Sequence, residues 1–315
     1  MDIDHFGRRM TPGLPEDQGT DFFPRPLAGG LWILGNHYFN LYLATGSQAS
    51  ALIEVGVSAT ADAVINQLDS LGIRPSFLVV THPHADHVTG LQALTERYPD
   101  ALVVAGQGAS EFLANPRSEE AILKEDRHIW QALKDRGIEP GRPPISQPPS
   151  LMNCLIAQDG DEMDLGGMTL RFLEVQGHSP AGINVYIPEA EALVASDSLG
   201  FRFDKRGFLS LFLGDYAAYV QTIRRLSRLP TRVLGIAHQG PLIGREVAAA
   251  AFEQAQQAAH ALRDRILKSP HDVDAVADEL FQEWYAEAFL LYSPENIKAV
   301  CKVLVKRARQ TLGQQ

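Results

Sequence analysis

The stretch Thr81-His82-Pro83-His84-Ala85-Asp86-His87-Val88-Thr89-Gly90 constrains this chain more than any other. Three of the ten histidines and one carboxylate fall between His82 and His87. Ahead of them, Phe77-Leu78-Val79-Val80 is a short apolar run that reads as a buried strand. Behind them, Val88, Leu91, Leu94 and Tyr98 recur at helical spacing. The cluster therefore sits on a strand-to-helix turn, a loop held by a rigid scaffold. Imidazole and carboxylate together form a ligand set for zinc, iron or manganese. The alternative is a polar loop that merely happens to be rich in histidine, and a cluster this dense favours the metal site.

The segments around the cluster alternate. Leu31-Trp32-Ile33-Leu34, Tyr38-Phe39-Asn40-Leu41-Tyr42-Leu43 and Ala51-Leu52-Ile53-Glu54-Val55 read as strands, punctuated by Gly35-Asn36 and Gly46-Ser47. Asn40 either turns toward the site or takes an outward strand position. Val64, Leu68 and Leu71 mark one helical face over residues 61–71. Strand, helix, strand, helix is an α/β signature. Residues 101–104 form a further strand, and residues 108–138 a helix that buries Ile122, Leu123, Trp130 and Leu133. Glu119, Glu120, Lys124, Glu125, Asp126 and Arg127 fall on its solvent side and read as a solvated face. After a proline-rich connector come strands at 168–175, 183–187, 192–195 and 231–236. A loop spans 199–213, and Asp215 opens a helix. Beyond Gly244 the strand signals stop. Three helices follow, over about 245–268, 272–288 and from Ser293-Pro294 onward. The expected organisation is an extended arm over 1–29, a catalytic domain over 30–244 and a helical extension over 245–315. The extension serves as a lid or an oligomerisation surface, a homodimer being one expectation.

Composition narrows the partners. With 28 basic and 38 acidic side chains the net charge is -10, which argues against nucleic acid, because phosphate contact needs a basic face. No run approaches the ~18 apolar residues of a membrane span. Behind Arg8-Arg9 there is no apolar stretch of the kind a signal peptide carries. A cytoplasmic protein with no membrane partner is the expectation. Cys154 and Cys301 lie far apart and read as reduced thiols.

Three further residues match the cluster in setting. His178 follows the 168–175 strand within Gln176-Gly177-His178-Ser179-Pro180. Asp197 follows Leu193-Val194-Ala195-Ser196, and His238 sits in Gly235-Ile236-Ala237-His238-Gln239-Gly240. Each is a ligand-type residue at a strand end. With these residues in this order and context, the chain resembles the metallo-β-lactamase-fold hydrolases over residues 30–244. The resemblance implies an αββα sandwich and two divalent metal ions, zinc first, with iron or manganese as alternatives. One ion would be held by His82, His84 and His178, the other by Asp86, His87 and His238, with Asp197 bridging. An aspartate rather than a cysteine at the bridging position resembles the glyoxalase II, lactonase and phosphodiesterase branches. The last motif departs from the family's Gly-His-Gly. The long helix after the first metal half and the three C-terminal helices resemble the subgroup of the quinolone-signal response protein and its thioesterase relatives.

Such a centre implies a hydrolase in which a metal-bridging hydroxide attacks a carbonyl or phosphoryl centre. Asp86 would be catalytic, orienting the hydroxide and shuttling a proton. No Gly-x-Ser-x-Gly supplies a rival nucleophile. Substrate-binding candidates are Phe201, Phe203, Phe208 and Phe212, joined by Leu211, with Trp284 and its neighbours Tyr285, Phe289, Leu290 and Tyr292 as a roof. An apolar, aromatic pocket favours a small acyl or aryl thioester or ester. The alternatives are a small-molecule phosphodiesterase and a regulatory protein that retains the metal site.

Overall fold

The protein is described by a computed structural model covering residues 23–203 and 206–314. Most of the expected arm over 1–29 lies outside the described residues.

The first sheet has seven strands in chain order. They are β1 (Arg25–Ala28), β2 (Leu31–Gly35), β3 (Asn40–Thr45), β4 (Ser50–Ile53), β5 (Phe77–Val80), β6 (Leu102–Gly106) and β7 (Leu155–Ala157). Pairing is antiparallel from β1 to β4 and parallel from β4 to β7. Parallel neighbours need crossovers. These are α1 (Ala61–Ser70), then α2 (Ala85–Val88) with α3 (Leu91–Arg97), then α4 (Ala109–Leu113) with α5 (Pro116–Lys134). The second sheet runs β15 (Leu242–Ile243), β14 (Val233–Ile236), β11 (Ala192–Ser196), β10 (Gly182–Ile187), β9 (Thr169–Val175), β8 (Glu162–Asp164). Here α6 (Tyr216–Leu226) crosses between the parallel β11 and β14. A separate hairpin pairs β12 (Phe201–Phe203) with β13 (Gly207–Leu209).

Side-chain alternation along the strands sorts the core into three layers. Tyr42 and Ala44 of β3 and Val79 of β5 meet Phe172, Val185 and Val194 between the sheets. The intervening Leu41, Leu43, Leu78 and Val80 face α1 and α3 through Val64, Leu68, Leu91 and Leu94. On the far side, Leu193, Ala195 and Leu234 pack under Tyr219 and Ile223 of α6. Strands buried on both faces explain the near-continuous apolar runs in the sequence. The Tyr42 hydroxyl, buried between the sheets, donates to the Ile236 carbonyl at 2.7 Å.

The C-terminal helices are α7 (Arg245–Lys268), α8 (Val273–Trp284) and α9 (Pro294–Gln310). Asp272 caps α8 by accepting from the Ala275 amide, and Ser293 caps α9 by accepting from Asn296. Their apolar residues, among them Ala255, Leu280 and Leu304, share one core with the outer face of the second sheet.

Several boundaries differ from expectation. The helix read over 108–138 divides at Asn115-Pro116, where Asn115 caps a new start with proline at its first position. The helix read over 272–288 ends at Trp284, and a 3-10 turn, Glu287–Leu291, follows. The loop read over 199–213 holds the β12–β13 hairpin. β7, β8 and β15 are only two or three residues long, too short to carry a periodic signal. Among the described residues no helix is long and apolar enough to cross a membrane.

Candidate metal centre

The seven ligand-type residues come from four strand ends. His82 and His84 follow β5, and Asp86 and His87 lie in α2 immediately after. His178 follows β9, Asp197 follows β11 and His238 follows β14. The ligating atoms of His82, His84 and His178 lie within 4.8 Å of one another, and so do those of Asp86, His87, Asp197 and His238. His82 Nε2 and His84 Nδ1 are 3.1 Å apart. Asp86 Oδ2 is 3.3 Å from His87 Nε2 and 3.5 Å from His238 Nε2. Asp197 reaches both groups: Oδ2 is 3.7 Å from His178 Nε2 and 3.4 Å from His87 Nε2, and Oδ1 is 3.5 Å from His238 Nε2.

These separations fit divalent cations. Tetrahedral bonds of about 2.0–2.1 Å place neighbouring ligand atoms roughly 3.3 Å apart. The donors are also poised for a cation. Nε2 of His87, His178 and His238 and Oδ1 of Asp197 are buried without a hydrogen-bond partner among the described residues. Buried polar atoms are otherwise almost always satisfied.

The outer nitrogens of the same rings are all engaged. His87 Nδ1 lies 3.0 Å from Glu54 Oε2, His178 Nδ1 2.9 Å from the Leu211 carbonyl, and His238 Nδ1 2.7 Å from the Tyr38 carbonyl. An acceptor at Nδ1 holds the proton there and leaves the Nε2 lone pair facing inward. Glu54, 1% exposed, also accepts from the Thr81 hydroxyl at 2.8 Å. In the sequence it reads only as a strand residue. Its one visible signal is a lone carboxylate within an apolar run.

Backbone strain gathers here. Glu54, Ser196 and Gln239 are non-glycine residues in the left-handed region, at φ 73°, 49° and 62°. Such residues concentrate at functional sites. The register of β11 against β14 slips between Val194 and Ser196, a bulge that re-aims Asp197 toward the cluster. Gln239 takes a left-handed position directly after His238, so the departure from Gly-His-Gly leaves the ring in place. Asn40 braces this loop, its Oδ1 accepting from the Gly240 amide at 2.6 Å and its backbone amide donating to Ala237. Gly177, at φ 100°, lets the His178 loop lie against α6, where an added Cβ would stand 2.2 Å from the Tyr219 nitrogen.

Electrostatics separate the two groups. Burial, reinforced by neighbouring imidazoles, pushes His82 well down and His84 to about 3. Burial also lowers His178, against the pull of Asp197. Burial opposes protonation of His87 too, but Asp86, Glu54 and Asp197 outweigh it and hold its pKa well above the usual range. His238 is raised by Asp197 in the same way. Asp86 and Asp197, though buried, are held down by His87 and His238 and stay ionised. One group thus offers neutral imidazoles, and the other holds both ionised carboxylates beside the imidazoles they make more basic.

A cavity of about 380 Å³ opens over the cluster, with His84, Asp86, His178 and Asp197 in its floor. Its walls are α5, through Ala121, Ile122 and Glu125, and α9, through Asn296, Ile297 and Val300. Of the five expected substrate-binding residues, Phe201 lines the cavity and stacks on His238, with centroids 4.6 Å apart. Phe203, Phe208, Phe212 and Trp284 do not; they lie in the core beneath the helical layer. The reason is alternation. Leu211 and Leu213 line the cavity, so Phe212 between them points the other way, onto Tyr216 and Tyr219. Among the expected roof residues, Phe289 and Tyr292 line it. The face of α5 read as solvated is corrected at two positions: Glu125 is 6% and Asp126 1% exposed, and both are hydrogen-bonded.

The sequence profile of the Metallo-beta-lactamase superfamily matches residues 37–238. The chain belongs to this superfamily. Its metallo-β-lactamase core runs from just before β3 to His238, so every ligand position falls inside the match. The metallo-beta-lactamase fold-containing protein ST1585 of Sulfurisphaera tokodaii is 26% identical over 64% of this chain and 72% of its own. An acyl-coenzyme A thioesterase, MBLAC2 of Gallus gallus, is 26% identical over 68% of this chain and 77% of its own. A hydroxyacylglutathione hydrolase of Parasynechococcus marenigrum is 29% identical, and the match spans only 55% of each chain. In three dimensions, TTHA1429 of Thermus thermophilus superposes with a TM-score of 0.59 at 23% identity, over 85% of this chain and 91% of that one. At that identity the likeness speaks for the fold.

Proposed function

We propose that this metallo-β-lactamase-fold chain is a hydrolase that holds two divalent ions and cleaves thioesters or esters. The observation that carries the reading is the sharing of Asp197 between two groups of inward-facing ligand atoms at the floor of a largely apolar cavity. Ions bound there would supply a nucleophile from water near neutral pH and polarise the substrate oxygen. The chain's own residues do the rest. His82, His84 and His178, kept neutral by burial, would hold one ion, and Asp86, His87 and His238 the other, with Asp197 within reach of both groups. Asp86, kept ionised by its histidines, orients the attacking water. Ile122, Phe201, Leu211 and Leu213 exclude bulk water and receive an acyl or aryl group. Mixed nitrogen and oxygen donors suit zinc, iron and manganese alike, and the family resemblance puts zinc first. The similarity to a thioesterase and a hydroxyacylglutathione hydrolase supports the thioester reading. The helices past Gly244 bury their apolar faces within the chain, which supports a roof over the cavity as their role.

A panel of acyl-CoA thioesters, a glutathione thioester, p-nitrophenyl acyl esters and bis-p-nitrophenyl phosphate, run with zinc, manganese and iron, tests this. Metal-dependent turnover of thioesters or acyl esters is expected. Turnover of the phosphodiester alone would replace the reading with a phosphodiesterase. Full metal loading without turnover of any substrate would favour a regulatory protein.

A further inference from the structure

Asp86 has a partner from far along the chain. The hydroxyl of Tyr292, in the segment between α8 and α9, donates to Asp86 Oδ2 at 2.9 Å. This is the same oxygen that faces His87 Nε2 and His238 Nε2. A carboxylate oxygen has two lone pairs, so it can accept this hydrogen bond and still face a cation.

Tyr292 is held firmly in place. Its amide donates to the Phe289 carbonyl at 3.1 Å, and its carbonyl accepts from the Tyr285 hydroxyl at 3.2 Å. Its ring meets Phe201, Phe289 and His238 edge-on at 6.0–6.4 Å. The next residue, Ser293, is clamped by the buried carboxylate of Glu125. Its amide donates to Oε1 at 2.8 Å and its hydroxyl to Oε2 at 2.6 Å. The Glu125 clamp on α5 thus fixes the backbone that aims the Tyr292 hydroxyl.

We propose that Tyr292 is a positioning residue of the metal centre, fixing the rotamer of Asp86 so that Oδ2 faces His87 and His238. The C-terminal helices are then part of the centre as well as a cover for the cavity. The inference rests on the two-ion reading given above. It explains why Glu125, an ionisable group on α5, is buried beside a largely apolar cavity: its acceptors fix the chain one residue from Tyr292.

Calorimetric titration of metal-stripped protein with zinc tests it without any substrate. Tyr292→Phe keeps the ring and its packing and removes only the hydroxyl. It is expected to weaken one of the two zinc affinities by about 10- to 100-fold, the usual effect of losing an outer partner of a ligand, and to leave the other unchanged. Glu125→Ala should weaken the same affinity. The double variant should be no weaker than the poorer single one, because both act through one hydroxyl. Wild-type affinities in Tyr292→Phe, or fully additive losses in the double variant, would overturn the inference alone. A wild-type chain that takes up none of zinc, manganese or iron would overturn the hydrolase reading and this inference with it.

Discussion

Glu54 gives the sharpest test of how the centre is built. It is 1% exposed and accepts from His87 Nδ1 at 3.0 Å and from Thr81 Oγ1 at 2.8 Å. Glu54→Gln preserves shape and removes charge. A hydrogen bond to a charged partner contributes about 1.5–3 kcal/mol and a neutral one about 0.5–1.5 kcal/mol. The bond to His87 therefore weakens by about 1 kcal/mol, or roughly fivefold in an equilibrium constant. Losing the carboxylate also lowers the basicity of the ring, and such changes reach about 10- to 100-fold in metal affinity. The expected result is a loss of about tenfold at the Asp86 group, with the metal-stripped protein destabilised by only that ~1 kcal/mol. Glu54→Ala should behave differently. Thr81 can turn to Ser196 Oγ or His82 Nδ1, each at 3.2 Å, but His87 Nδ1–H is left buried without an acceptor. That costs about 1–3 kcal/mol, before any cavity term, and lowers the urea midpoint of the metal-stripped protein. If Glu54→Gln binds zinc as the wild type does and Glu54→Ala unfolds at the wild-type midpoint, the claim that Glu54 orients His87 is wrong.

Three further outcomes are expected. Asp197→Ala removes the one carboxylate shared by both ligand groups, so metal content and turnover should both disappear; an active, metal-free variant would contradict the two-ion reading. Gly177→Ala places a methyl 2.2 Å from the Tyr219 nitrogen at φ 100°. Strain and overpacking together should lower stability by about 2–5 kcal/mol, and an unchanged melting temperature would refute the close approach. Burial holds His84 at about 3, below its ordinary 6.5. Below about pH 6.5 the unfolded chain then binds protons that the folded chain does not, so the contribution of His84 to stability falls as pH drops toward 3. Urea midpoints of metal-stripped wild type and His84→Gln, compared from about pH 7 to pH 5, should show the steeper loss in the wild type. Parallel curves would remove His84 from the account.

What could be seen in the sequence, and what could not, follows from the kind of atom each role demands. The β4–β5 and β11–β14 strands were legible because parallel strands buried on both faces must be apolar throughout. The ligands were legible because few side chains can hold a cation, and because each follows such a strand. The pocket wall was only partly legible. A run such as Leu211-Phe212-Leu213 announces apolar burial, but the face of each residue depends on how the segment past β13 docks, which the run does not encode. Leu211 and Leu213 line the cavity while the larger Phe212 lies in the core. The outer partners were the least visible. His178 and His238 are oriented by the carbonyls of Leu211 and Tyr38, and a backbone carbonyl belongs to every residue type. No composition rule can mark it. Glu54 and Tyr292 do use side chains, but they reach the cluster from just past β4 and from the segment between α8 and α9. Their roles exist only once the sheets have paired and the helices have closed. A ligand cluster of this design is therefore readable at its ligand-type residues and obscure in the contacts that orient them. Those contacts separate a chain that carries the motif from one that holds its ligands in working geometry. For that reason the variants at Glu54 and Tyr292 probe the centre more sharply than removal of any histidine.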